Sequence, residues 1–208
     1  MSVPRLLIEE WLPCAAIGIE CRRERSTGQQ PPTARFHVWW ARRPLTASRA
    51  AVLASVLPAD FDRQQFSNLL GFYRSAERVV QAAEILDRAR ITKRKVANPH
   101  GPRAFRITPP DEAIDSLHST LVDTWGELPV VLDPMAGGGS IPLEALRLRL
   151  PVLANEYNPV ASVILSATLQ MAAKYGTRLL ERTDYWKDKL LSRVIPQIRD
   201  CYNGNEMP

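Results

Sequence analysis

The chain has 208 residues, of which 45% are hydrophobic and 24% charged, with a formal net charge of +5 and a pI near 9.4. That balance excludes a disordered or collagen-like polypeptide, and no apolar run approaches the roughly 20 residues that span a bilayer. Three widely spaced cysteines, Cys14, Cys21 and Cys201, suggest neither a disulfide framework nor a four-ligand zinc site, and fit a reducing cytoplasm best. The positive charge favours an anionic partner. Glu9, Glu10 and Trp11 break the first apolar stretch, so residues 1–26 do not read as a secretory leader but as one or two helices ending in a basic turn.

Gly28, Pro31 and Pro32 set a loop before His37. After an extended entry, a helix is expected from about Pro44 to Leu57, with proline at a permitted first-turn position. Helical spacing continues from Asp62 to Arg90, with Phe66, Leu69, Leu70, Tyr73, Val80, Ile85 and Leu86 as candidate buried positions. The stretch from Arg88 to Pro110 is basic and proline-broken, and reads as an exposed connector. Behind Thr108 and Asp111, both able to cap a helix, Ile114, Leu117, Leu121 and Trp125 recur at helical intervals.

The period then changes. Pro129–Pro134 reads as a short buried strand, 140–150 as a helix, Pro151–Tyr157 as a second strand and 158–175 as a second helix. Strand, helix, strand, helix with tight connections implies a parallel sheet with right-handed crossovers, the opening of a Rossmann-like α/β fold. No element is assigned beyond Tyr175.

Between the first strand and its helix lie three consecutive glycines, Gly137, Gly138 and Gly139. A loop leaving the carboxyl end of a parallel strand is where such sheets bind ligands, and glycines there let backbone approach the ligand closely. Asp133, at the strand end, can order the loop by accepting backbone N–H bonds. Glu156, ending the second strand, stands where an acidic side chain receives ribose hydroxyls. The loop has neither the Lys-Ser/Thr pair of a P-loop nor the G-x-G-x-x-G spacing, so an adenosyl ligand without phosphates suits it better than a nucleotide or dinucleotide. The plain alternative is that the glycines make a tight turn and nothing more.

These strings carry a resemblance. Leu132–Ala145 (LDPMAGGGSIPLEA) resembles the cofactor-binding motif of amino-group DNA methyltransferases that use S-adenosyl-L-methionine (SAM), with Met135 where Phe is usual, and Ala154–Ala161 (ANEYNPVA) resembles their second motif. Leu7–Ser26 and Phe36–Leu57, with the signature His-Val-Trp-Trp-Ala-Arg-Arg-Pro-Leu at His37–Leu45, resemble the opening domain, the domain of unknown function 1156, of large zinc-ribbon-containing adenine-specific DNA methylases. The resemblance implies a partial Rossmann-like methyltransferase fold preceded by a mainly helical N-terminal domain. It divides the chain into a signature domain at 1–60, a helical and basic connector at 61–110, and the first part of a SAM-binding domain at 111–208. It implies a SAM site formed by Asp133, Pro134, Ala136, Gly137, Gly138, Gly139, Glu156 and Asn158, with Arg43 and Pro44 closing over the methionine end. DNA is the implied partner, with Arg88, Arg90, Lys93, Arg94 and Lys95 as phosphate contacts.

One departure limits the chemistry. The family's Asp/Asn/Ser-Pro-Pro-aromatic tetrapeptide, which holds the target amine and stacks on the flipped base, is absent; Thr108–Asp111 (TPPD) is the nearest string and reads as a helix start. No catalytic residue is therefore assigned. The expectation is a SAM-binding portion, inactive alone, completed by further sequence or a second chain. Rival expectations are a non-catalytic DNA-binding or assembly module of a restriction-modification or phage-defence complex, and a small-molecule enzyme. The Trp39-Trp40-Ala41-Arg42-Arg43 string reads as a cofactor lid, as a nucleic-acid contact, or as an interface core with buried tryptophans and Arg42 paired to a carboxylate. His37, His100 and His118 are isolated, so no metal site is expected.

Overall fold

Apolar spacing and local caps account for most of the helices. The structure, a computed structural model, describes residues 4–199 apart from 27, 29, 32, 34 and 35. Two compact units divide the chain, one up to Leu165 and one from Ser166.

In the first unit, α1 (Leu7–Glu10) and α2 (Cys14–Glu24) are followed by α3 (Leu45–Ala54), α4 (Arg63–Leu70), α5 (Ala76–Ile91) and α6 (Asp111–Trp125). The expected helical stretch from Asp62 to Arg90 is two helices, because Gly71 adopts φ 79° and ends α4 while Ser75 starts α5 by accepting from the Arg78 N–H. Asp62 caps α4 through the Gln65 N–H, at 2.7 Å. The cap expected at Thr108 or Asp111 is not made: Pro110 holds the N-cap position, with no side-chain bond. Phe66, Leu69 and Leu70 are buried as their spacing requires, whereas Tyr73 and Ile85 are exposed.

A small β-α-β unit follows. Strand β1 (Val131–Asp133) leads through the glycine loop into α7 (Ser140–Arg147) and on to β2 (Val152–Ala154), and the strands pair in parallel with Val131 opposite Val152 and Asp133 opposite Ala154. Val131, Val152 and Ile141 pack on a hydrophobic cluster that also holds Leu7, Leu53, Phe66 and Leu121. Burial of these apolar side chains is the main favourable term in the fold. The last helix of the unit is α8 (Pro159–Leu165).

The expected α/β architecture, a partial Rossmann-like methyltransferase sheet, is not what forms. Among the described residues the protein is mainly helical, and its one sheet has two strands of three residues each. The first strand, expected to be buried, leaves Leu132 66% exposed, and Leu153 of the second is 61% exposed. Two such strands bury too little to form a layer, so helix-on-helix packing, above all α3 against α7, supplies the core.

The second unit begins with a π-helical turn at Ser166–Gln170, followed by α9 (Met171–Tyr175) and α10 (Thr177–Ile198). Where one helix was expected over 158–175, the α-helical hydrogen bonding gives way to the π-turn at Ser166. Helix α10 lies where no element was assigned, and its apolar residues, Leu180, Trp186 and Leu190 among them, are exposed.

Candidate functional site

The glycine loop is held open by backbone geometry that side-chain-bearing residues adopt poorly. Gly137 and Gly139 have φ of 52° and 77°, and Gly139 is the N-cap of α7. The loop closes on itself through Gly139 N–H to the Ala136 carbonyl at 2.8 Å, and on the end of β2 through Ala136 N–H to the Asn155 carbonyl at 3.0 Å. Asp133 Oδ1 accepts from the Met135 N–H at 3.3 Å. Glu156 Oε2 accepts from the Gly137 N–H at 2.6 Å, and Oε1 from the Asn158 N–H at 3.1 Å. These bonds, Asn158 first and Gly137 second, hold the Glu156 carboxyl below its ordinary pKa. A carboxylate has about four acceptor positions, so about half remain for a ligand.

The signature segment faces this loop. A Cβ at Gly137 would stand 2.7 Å from Trp39 Nε1, and one at Gly138 would stand 3.2 Å from Trp39 Cβ. Part of the reason for the glycines is therefore the close approach of Trp39 itself. Beside that contact lies a cavity of about 340 Å³. Trp39, Trp40, Arg42 and Arg43 wall it on one side, and Asp133, Ala136, Gly137, Gly138, Glu156 and Asn158 on the other. Trp40 is 88% exposed at the rim, so the tryptophan pair is not a buried interface core. Nor does Arg42 form an ion pair with a carboxylate among the described residues. Its guanidinium donates to the carbonyls of Thr33 and His37, at 3.0 and 3.1 Å, and so shapes the signature loop.

Charged groups hold the two halves of the cavity in register. Arg49 of α3 is 1% exposed, and its Nε donates to Glu144 Oε2 of α7 at 2.5 Å, with Glu144 fully buried. Arg49 Nη1 donates to the carbonyls of Leu69, Leu70 and Ile107. Glu144 Oε1 accepts from Arg147 at 2.8 Å, and Arg147 in turn reaches the carbonyls of Phe105 and Ile107. At the other end of α3, Glu24 of α2 accepts from the Leu45 N–H at 2.8 Å and the Thr46 N–H at 3.3 Å. It thereby occupies the anion-favouring N-terminus of the helix that carries Arg49. Burial pushes the Glu24 carboxyl above its ordinary pKa, against the lowering effect of those two bonds.

The structure thus brings together Arg43, Asp133, Ala136, Gly137, Gly138, Glu156 and Asn158 around one cavity. Pro44 lines a second, smaller one of about 180 Å³ beside Glu24, while Pro134 and Gly139 line neither. The basic residues expected to meet phosphates, Arg88, Arg90, Lys93, Arg94 and Lys95, are all exposed and none borders the cavity. Arg88 and Arg90 face Glu84 and Asp87 at 3.9 and 3.8 Å. Cys14 opens α2 and is exposed, and Cys201 lies outside the described residues. No cluster able to hold a metal ion occurs among the described residues, and none of their helices is long and apolar enough to cross a membrane.

Sequence reasoning passed over Glu24, Arg49, Glu144 and Arg147. The signal was a charge inside an apolar stripe: Arg49 shares helical spacing with Leu45, Val52 and Leu53, and Glu144 with Ile141 and Leu148. Opposite charges set into two apolar stripes mark helices that meet.

Residues 11–80 match the family model described as a protein of unknown function (DUF1156), which covers α2 through the start of α5 and includes the signature. No curated protein and no solved structure matches the chain.

Proposed function

We propose that the cavity between the signature segment and the glycine loop binds S-adenosylmethionine, and that the chain is the cofactor-binding portion of an amino-group DNA methyltransferase of the cytoplasm. The observation that carries this reading is the charge arrangement around a single cavity: Arg43 on one wall, and Asp133 and Glu156 on the other, beside glycine backbone. A zwitterionic adenosyl ligand has matching parts. Arg43 suits the carboxylate, Glu156 suits the ribose diol through its remaining acceptor positions, and Asp133 suits the ammonium or sulfonium charge. The volume falls within the roughly 300–1,000 Å³ of small-molecule sites. The reading rests on the local strand-loop-helix-strand unit and not on a methyltransferase sheet.

The bound cofactor would supply an electrophilic methyl group. The residues of this chain bind, orient and shield it: Trp39 restricts the approach of water over Gly137 and Gly138, and the Arg49–Glu144 pair fixes α7 behind the loop. No Asp/Asn/Ser-Pro-Pro-aromatic string occurs in the 208 residues, so the reading assigns them no part in holding the target amine.

Calorimetric titration with S-adenosylhomocysteine tests it, beside Arg43→Ala and Glu156→Ala variants shown to be folded by circular dichroism. Binding that both variants weaken supports the reading. Absence of binding by the folded wild-type chain refutes it and favours a non-catalytic assembly module.

A further inference from the structure

A further cavity lies away from the glycine loop, in the groove between α2 and α5, and has a volume of about 670 Å³. Its floor is apolar, made by Ile19, Ala83 and Leu86. Its walls are basic. Arg22, Arg23, Arg90 and Arg103 line it with His100, against a single lining carboxylate, Asp87.

Two of these arginines are already aimed. Arg23 pairs with Glu20, which is 2% exposed, and donates from Nη2 to the Gly101 carbonyl at 2.7 Å. Arg103 Nη1 donates to the Arg23 carbonyl and to Ser26 Oγ, the latter at 2.9 Å. Holding an arginine in place beforehand reduces the entropy lost when it binds an anion. The other two are available: Arg22 is exposed and forms no ion pair among the described residues, and Arg90 meets Asp87 only at 3.8 Å, where a water-exposed pair contributes little. Burial lowers the pKa of His100 first, Arg23 and Arg103 lower it further, and Glu20 opposes them.

We infer that this groove is a phosphate-binding site, in which the arginines take the phosphoryl oxygens and the apolar floor takes the sugar or base attached to them. Guanidinium groups present paired donors matched to phosphate geometry, and a floor of Ile19, Ala83 and Leu86 offers nothing to a bare inorganic ion. The phosphate is either that of a free nucleotide or that of a nucleic-acid backbone, and both have this chemistry. The site does not depend on the cofactor reading, since it shares no lining residue with the glycine-loop cavity.

The test uses the whole chain at low salt, with ADP followed by calorimetry and short fluorescein-labelled single-stranded and duplex oligonucleotides followed by anisotropy. An Arg22→Ala/Arg90→Ala variant removes two groove charges. An Arg88→Ala/Arg94→Ala variant removes two charges that line no part of the groove. The expected result is a loss of about tenfold or more in the groove variant, and for oligonucleotides a salt dependence shallower by about two ions, with the control variant close to wild type. ADP binding alone identifies a nucleotide site, and oligonucleotide binding identifies a backbone site. Equal weakening by both variants means a diffuse basic surface and overturns the inference, as does failure of every probe to bind the folded protein.

Discussion

Replacing Glu144 with alanine strands a charge. Arg49 would keep its carbonyl partners on Nη1, but Nε would lose its carboxylate, and Nη2 already lacks a partner among the described residues. At 1% exposure the guanidinium has no route to bulk water. Breaking a buried pair in this way costs about 3–5 kcal/mol, a large share of the roughly 5–15 kcal/mol that stabilises a typical domain. In a chain of this length that lowers the melting temperature by about 6–20 °C. Arg147 also loses Glu144 but retains the Phe105 and Ile107 carbonyls and partial access to solvent, so it adds little. Urea denaturation followed by helical circular dichroism measures the loss. An Arg49→Met/Glu144→Leu double variant, which replaces both charges with apolar groups of similar bulk, is expected to recover most of it. A Glu144→Ala protein within about 1 kcal/mol of wild type would refute the account of Arg49 as a buried, carboxylate-dependent charge.

Two further outcomes follow from the glycine loop. Gly137→Ala combines a left-handed alanine, costing about 1–2 kcal/mol, with a methyl driven against Trp39, costing about 1–3 kcal/mol. In a Trp39→Ala background the second cost disappears, so a double-mutant cycle in urea should show coupling of about 1 kcal/mol or more, and strict additivity would show that Trp39 does not rest on Gly137. Glu156 carries a pH signature. Its folded pKa lies below the unfolded value, so its stabilisation is fully present above about pH 4.3 and is lost as pH falls through the folded pKa. The stability advantage of wild type over Glu156→Gln should therefore shrink on acidification, and an advantage independent of pH would show that the carboxylate does not anchor the loop.

How far these features could be read beforehand depended on the range of the forces involved. The helix at Leu45–Ala54, the end of the first strand at Asp133 and the glycine turn are set by local propensity and spacing and stand close to where spacing put them, whereas the second strand, expected to run to Glu156, ends at Ala154. The extent of the sheet was not legible, because a run such as Val131-Leu132-Asp133 has the same composition whether one face or both are covered. Helix α10 was overlooked because its polar residues masked a stripe of Leu180, Trp186 and Leu190. That Asp133, Gly137, Gly138 and Glu156 border one cavity was legible because they lie at the ends of adjacent, tightly connected elements. The meeting of Trp39 with Gly137 depends on contacts across about half the chain, which no window of sequence contains.

The distance between Arg49 and Glu144 along the chain, 95 positions, also sets a timetable. During synthesis at about 5–20 residues per second, Arg49 is added to the chain roughly 5–20 seconds before its carboxylate is made. Until then the guanidinium has no carboxylate at that position, and burying it would cost hydration that Glu144 later replaces. The ion pair between α3 and α7 is therefore open to the growing chain only after residue 144 has been added.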